Sequence, residues 1–204
     1  MRDLPVLLPT MFVLFAAAIS AQQQGAAQPA PAAPAMTLTV NGFPDGGDIP
    51  VKFTQAAPGV APGEGLSPAI GWTNAPADTQ SFVLNMRDLD VARNRTTDDQ
   101  AHWLVWNIPA ETRGLPEGVP KGSPRPDGSR QISVTGPMYR GPGAPATGPR
   151  HHYMFELYAL DTTLDVTPIA ADADAFQTRA NVMRAMQGHI LAKAVYGGLF
   201  RRPQ

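Results

Sequence analysis

Three polar side chains stand at the ends of alternating apolar rows, the pattern of half-buried strand faces. They are Asp88 after the row at 82–86, His102 before the row at 104–106, and His151 before the row at 153–157. If the strands at Asp88 and His102 are antiparallel neighbours, both residues lie at one sheet edge. A strand that starts at His151, parallel to the one at His102, would bring the second imidazole to that edge.

A carboxylate and two imidazoles at the mouth of an apolar interior predict a ligand pocket whose burial perturbs their protonation. Imidazole N–H groups and the amides of the Gly/Pro-rich segment 135–150 could bind a phosphate or sulfate. We expect Asp88 or Asp90 to accept from a histidine, favouring its charged form, so that anion affinity falls above the histidine pKa values. A carboxylate could instead contact the ammonium of a zwitterionic ligand.

Two alternative roles remain open for these residues, one purely structural and one in metal binding. Each could be an isolated, hydrogen-bonded residue at a strand end. Two histidines and two aspartates could also hold a divalent metal whose bound water hydrolyses a phosphoester. No His-x-x-x-His spacing supports the metal hypothesis, and no Gly-x-Ser-x-Gly motif supports a serine hydrolase. The sequence therefore indicates no catalytic residue, no metal and no cofactor.

The elements that must position these residues are mostly strands. Strands are predicted at 37–40, 49–53, 81–88, 102–108, 131–135 and 151–160. One helix is predicted at 174–187, ended by Gly188, and the tail 189–200 fits a helix or a strand. The excess of strands predicts a mainly β, sandwich-like fold with a late helix.

Composition excludes several classes of protein. The 204 residues include 16 basic and 17 acidic residues, so the formal net charge is −1, which argues against a nucleic-acid partner. The absence of cysteine excludes disulfides, thiolate zinc sites and a cysteine nucleophile.

The first 35 residues are expected to lie outside the fold. Residues 1–21 combine Arg2, a short apolar run and a small-residue site, which predicts a secretory signal and a periplasmic or secreted protein. An uncleaved membrane anchor is the alternative. Residues 22–35 are almost entirely Gln, Ala and Pro, which predicts a linker, so the domain spans 36–204.

Several segments, in this order, resemble the phosphatidylethanolamine-binding protein family, and in particular its bacterial Raf kinase inhibitor-like branch. They are SPAIGW at 67–72, Asp88-Leu89-Asp90, HWLVWNIPA at 102–110, GLPEG at 114–118, YRGPG at 139–143, GPRHHYMFELYALD at 148–161 and GHILAKAVYGGLFRR at 188–202. The resemblance implies a large antiparallel sheet packed on a smaller sheet, with a C-terminal helical segment.

The resemblance also implies a pocket for phosphate-like groups. By motif position its residues are Asp88, Asp90, His102, Pro142, Gly143, His151 and Tyr153. We therefore predict an exported, non-enzymatic module that binds a small anion or a phospholipid head group. The family also includes protease and kinase inhibitors that act through their surface, which is the alternative function, with a protein target as partner.

This sequence departs from the family pattern at three positions. Leu89 replaces the proline between the aspartates, which puts any special backbone geometry there in doubt. Gly143 stands in place of a second wall proline, which predicts a larger or looser pocket. His152 replaces an arginine, which predicts loss of an ion pair on the face opposite His151.

Overall fold

Nine strands and one α-helix make up the described part of the chain. The structure, a computed structural model, describes residues 34–168 and 174–204. The predicted signal at 1–21 and the linker up to residue 33 lie outside the described residues. Within the described residues, no helix is long and apolar enough to cross a membrane.

The strands alternate with short turns until the single helix near the end. In chain order they are β1 (Thr37–Val40), β2 (Gly47–Asp48), β3 (Ile70–Thr73), β4 (Ser81–Asp88), β5 (Gln100–Pro109), β6 (Gly114–Leu115), β7 (Arg130–Ile132), β8 (His151–Leu160), α1 (Ala175–Ala185) and β9 (Ile190–Phe200). Two 3₁₀ turns, at Val51–Phe53 and Arg93–Arg95, complete the list.

Two sheets form the fold, as predicted. The larger has the order β2-β9-β8-β4-β5-β7, and the smaller has the order β1-β3-β6. Neighbours are antiparallel except β2, which runs parallel to β9. Because β4 lies between β5 and β8, those two strands run parallel to each other and begin at the edge where β4 ends.

The main core fills the space between the two sheets. The buried apolar row of β4 and the row of β8 from Tyr153 to Ala159 pack there against Leu38, Ile70 and Trp72 of the smaller sheet. This mainly β arrangement confirms the predicted fold class.

Helix α1 covers the other face of the larger sheet. Asp174 caps it, because its Oδ1 accepts from the backbone N–H groups of Phe176 at 3.0 Å and Gln177 at 3.4 Å. Val182 and Met186 pack with Val83, Leu104 and Trp106 in a second apolar cluster. The helix lies within the predicted range 174–187, but the chain ends with β9, so the ambiguous tail is a strand.

One strand prediction was wrong and another was too long. Residues 49–53 form no strand, because the chain turns at Pro50 into the 3₁₀ turn that buries Phe53. The strand predicted at 131–135 is β7, which ends at Ile132, and a tight turn that pairs Ser133 with Gly136 follows it.

A β-bulge in β5 determines where His102 points. Met86 pairs with Trp103 and Arg87 pairs with Ala101, so His102 is the extra residue between the two pairs. His102 therefore packs against Tyr153 on the inter-sheet side, whereas Leu104 and Trp106 pack on the helix side. Its predicted membership in the row of Leu104 and Trp106 was wrong, because a bulge interrupts the alternation.

Candidate functional site

An Asp–His pair joins the end of β4 to the start of β8. Nδ1 of His151 lies 2.8 Å from Oδ2 of Asp88, and the backbone N–H of Asp90 donates to Oδ1 of Asp88 at 3.0 Å. The Asp88 side chain is only 4% exposed, and that of His151 is 17% exposed. The carboxylate thus fixes the ring through Nδ1 and leaves Nε2 of His151 free for a ligand.

His102 lies beside this pair as a neutral, buried ring. Its Nδ1 lies 2.9 Å from the carbonyl oxygen of Arg140, which can only accept, so Nδ1 carries the proton and Nε2 is an acceptor. Burial lowers the pKa of His102 to about 4, outweighing the Arg140 carbonyl and the Asp88 charge, which raise it. Asp88 thus favours the charged form of His102, as expected, but burial has the larger effect and leaves this ring neutral.

Asp90 is held by the residue that follows His151. Its Oδ2 accepts from the backbone N–H of His152 at 2.6 Å and lies 3.0 Å from the Nδ1 atom of that ring. Burial alone would raise the pKa of Asp90. The hydrogen bonds from His152 lower the pKa by more than burial raises it, so the net pKa lies below its usual range. The exposed His152 is therefore the partner of Asp90.

Leu89, between the two aspartates, makes a backbone hydrogen bond to the start of β8. The N–H of Leu89 donates to the carbonyl oxygen of His152 at 3.0 Å, a bond that a proline at this position could not make. The Leu89 side chain is exposed.

The hydroxyl of Tyr153 ties the Gly/Pro-rich loop to β8. It accepts from the backbone N–H groups of Gly143 and Ala144, both at 3.2 Å. The N–H groups of Arg140 and Gly141 also donate within the protein, to His102 and Glu64. The predicted anion-binding amides at these positions are therefore already used, and the loop acts as a fixed wall.

The side chain of Gln55 fills the space beside Gly143. A Cβ atom built on Gly143 would lie 2.5 Å from Nε2 of Gln55. That amide donates to the carbonyl oxygen of Gly141 at 2.7 Å and accepts from the N–H of Gly63 at 2.9 Å. The expected loosening of the wall at Gly143 was wrong, because another side chain takes up the space.

The structure brings all seven predicted site residues to one region at the edge of the larger sheet. Asp88, His102 and Tyr153 form its buried floor, Asp90 and His151 reach the solvent, and Pro142 and Gly143 lie in the wall. One oxygen or nitrogen atom from each of Asp88, Asp90 and His151 lies within 4.8 Å of the others, so these three could approach one metal ion.

Sequence reasoning missed the residues that support the wall. Gln55 lies in a stretch without strand or helix periodicity, and the carbonyl of Arg140 acts through its backbone. Neither leaves a signal in the side-chain pattern. The Gly/Pro content of residues 141–145 was the one indication that this loop is built for close approach.

Comparison with known sequences decides the family. Residues 39–201 match the family model described as Phosphatidylethanolamine-binding protein. The chain belongs to the phosphatidylethanolamine-binding protein family. The matched range includes every predicted site residue.

Relatives of this phosphatidylethanolamine-binding protein family member occur in archaea and bacteria. A UPF0098 protein of Methanothermobacter thermautotrophicus is 39% identical over 169 residues, which cover 82% of this chain and 99% of that protein. The UPF0098 protein YbhB of Escherichia coli is 34% identical over 170 residues, covering 81% of this chain and 99% of YbhB.

Solved structures show the same fold. The crystal structure of the phosphatidylethanolamine-binding protein homologue CT736 from Chlamydia trachomatis is 28% identical, with a TM-score of 0.65, and covers 81% of this chain and 97% of that one. The crystal structure of Escherichia coli YbcL, described as a new member of the mammalian family, is 24% identical with a TM-score of 0.63. The match covers 81% of this chain and 98% of the YbcL chain. At this level of identity it supports the fold alone.

Proposed function

We propose that this protein is an exported, non-enzymatic module that binds a small phosphate-bearing ligand such as a phospholipid head group. The observation that carries the proposal is the Asp88–His151 pair, 2.8 Å long, with the free Nε2 of His151 at the solvent-accessible edge of a buried polar floor. Family membership supports the proposal without identifying the ligand.

The charges around this pair fit a zwitterion better than a bare anion. A protonated His151 offers a donor and a positive charge to a phosphate. Asp90 and Nε2 of His102 are acceptors and suit an ammonium group or the hydroxyl of a protonated phosphate. The site therefore matches a head group that joins a phosphate to an amine.

Binding rather than catalysis is the role we assign to the aspartate. Both oxygens of Asp88 are engaged, one by Asp90 and the other by His151. A carboxylate that orients a ring in this way holds the imidazole for a ligand, and it is not free to act as a general base.

The remaining part of the proposal concerns location. The apolar run and small-residue site in residues 1–21 support export. In the periplasm or outside the cell, the ligand source would be lipid head groups or their soluble phosphoesters.

Calorimetry on the full chain tests the proposed function. Phosphoethanolamine, inorganic phosphate and ethanolamine are titrated into the native protein, His151→Ala and His189→Ala. His189 is the matched control, because its Nδ1 lies 2.8 Å from Asp161 in an exposed pair at the other end of β8.

We expect phosphoethanolamine to bind best and His151→Ala to weaken it at least about tenfold, while His189→Ala changes nothing. Equal affinity in all three proteins would place binding elsewhere and overturn the proposal. Titration of Zn²⁺ and Mn²⁺ forms a separate arm. Tight metal binding that is lost in His151→Ala would favour the metal alternative instead.

A further inference from the structure

An apolar groove lies on the face of the larger sheet that faces away from the smaller sheet. It has a volume of about 420 Å³, and its lining includes Met154 of β8 together with Val195, Gly197 and Leu199 of β9. Helix α1 packs over β4 and β5 on this face, and no described residue of the helix lines the groove.

Gly197 leaves the hollow open because it has no side chain. A Cβ atom built on Gly197 would lie 3.6 Å from Oδ1 of Asp45 and 4.0 Å from Cε of Met154, which are ordinary contact distances. Gly197 is not among the glycines with a positive φ, so its backbone does not require glycine. A larger residue could therefore stand here, and it would fill the groove.

Apolar side chains remain in contact with solvent along this groove. Val195 is 51% exposed, which is the largest exposure of a large apolar side chain in the described part of the chain. Met154 and Leu199 are half-buried. Contiguous apolar surface of this kind indicates a site for an apolar partner.

Asp90 connects the groove to the candidate ligand site. His152 lines one end of the groove, and its backbone N–H donates to Oδ2 of Asp90 at 2.6 Å. A carboxylate oxygen of Asp90 also lies within 4.8 Å of a ring nitrogen of His151. Because successive residues of a strand point to opposite faces, His151 serves the site and His152 serves the groove, with only the rim of the sheet between them.

We propose that this groove holds an acyl chain of the phospholipid whose head group occupies the site at His151. The inference rests on the function proposed above and extends the ligand from a head group to a lipid. The chain leaves the head group beside Asp90, passes the rim at His152 and lies over Gly197 against Val195. From His152 to the level of Val195, which pairs with Glu156, the groove extends about 13 Å along the strands.

The polar groups of the lining favour a hydrocarbon chain over a peptide. Oδ1 of Asp45 accepts from the N–H of Gly197 at 2.7 Å, and Nδ1 of His152 lies 3.0 Å from Asp90, so both side chains have partners within the protein. A peptide would bring backbone polar groups that need new partners, whereas a chain of CH₂ groups needs only apolar contact. Each CH₂ group that becomes fully buried should raise affinity about fourfold.

Calorimetry with ligands that share one head group tests this inference on the full chain. The ligands are glycerophosphoethanolamine, which has no acyl chain, and lysophosphatidylethanolamine with a hexanoyl or an octanoyl chain, each used below the concentration at which it forms micelles. We expect affinity to rise with chain length, and the octanoyl lipid to bind at least about tenfold more tightly than glycerophosphoethanolamine.

Matched variants locate the chain. Gly197→Leu fills the groove and Val195→Asp places a charge in it, so each should remove the dependence on chain length and leave the affinity for glycerophosphoethanolamine unchanged. Ile190→Asp is the control, because Ile190 is 47% exposed on the same strand but does not line the groove. His151→Ala should weaken all three ligands by a similar factor, because it acts on the head group.

The outcomes separate this inference from the proposed function. Equal affinity for the three ligands, or a chain-length dependence that survives both Gly197→Leu and Val195→Asp, would overturn the acyl-chain assignment while the head-group site stands. Failure of glycerophosphoethanolamine and phosphoethanolamine to bind at all would overturn both. Sedimentation of the ligand-free protein tests the remaining occupant: a dimer that Val195→Asp dissociates would show that a second copy covers the groove, against the proposal.

Discussion

Nδ1 of His151 lies 2.8 Å from Oδ2 of Asp88, although 63 residues separate the two along the chain. Their contact depends on the register in which Asp88 pairs with Tyr153, because that register sets the end of β4 beside the start of β8. A substitution that breaks this pair should therefore affect both the stability of the sheet edge and the geometry of the candidate ligand site.

Replacing Asp88 by alanine should destabilise the protein. The change leaves the partly buried N–H of Asp90 and the ring of His151 without their acceptor, which costs about 1–3 kcal/mol. Urea denaturation at pH 7 measures the free energy of unfolding. Asp161→Ala, which breaks the exposed pair with His189, should cost less than about 1 kcal/mol. Equal losses in the two variants would show that Asp88 has no special structural role.

The neutral state of His102 should make stability depend on pH. Below pH 6.5 the unfolded chain takes up a proton at His102, whereas the folded protein does so only near its pKa of about 4. Stability is therefore lost as the pH falls from 6.5 to 4, by at most about 3 kcal/mol from this residue.

Comparison of the native protein with His102→Gln checks this, since glutamine can still donate to the Arg140 carbonyl but does not titrate. We expect the free energy of unfolding to fall less steeply with acid in the variant. Parallel pH profiles would contradict the assignment of a neutral His102.

Tyr153→Phe should loosen the loop that forms the wall of the site. The change removes the acceptor of the Gly143 and Ala144 amides, and two unpaired donors cost about 1–3 kcal/mol. Hydrogen exchange should accelerate at these two amides by at least about tenfold. Tyr196→Phe, which removes a hydroxyl bonded to Phe43, serves as a control that should leave the loop amides protected.

Export predicts a processed N-terminus. When the full chain is expressed in a bacterium with an intact secretion pathway, the mature protein should begin near Gln22, as read by intact mass and N-terminal sequencing. Recovery of the complete chain in the membrane fraction would favour the anchor, and recovery in the cytoplasm would contradict export.

The strands that form the site could be predicted because their apolar rows have polar ends. The alternation in 81–88 and in 151–160 specified β4 and β8 to the residue, and the polar residues at their ends marked the site edge. Segment 49–53 has similar composition, but Pro50 redirects the backbone into a 3₁₀ turn, which residue type alone does not reveal.

The hydrogen-bond partners of the loop amides and the side of the sheet that His102 faces could not be predicted from the sequence. A bulge changes the face of every residue beyond it, so the side that His102 takes depends on its pairing with β4. Likewise, the loop amides satisfy Tyr153 and neighbouring carbonyls, and Gln55 takes up the volume beside Gly143. These facts depend on contacts between distant segments, and no local pattern encodes them.

Strand β4 gives consecutive residues to opposite sides of the larger sheet. Arg87 pairs with Asp99 and Glu156 on the side that α1 covers, and Asp88 pairs with His151 on the other side. An insertion of one residue before this pair would present the guanidinium of Arg87 to His151, and a deletion would present the carboxylate of Asp88 to Glu156. A change of length in β4 would therefore disturb the ion pairs on both faces of the larger sheet at once, whereas a substitution can alter one face alone.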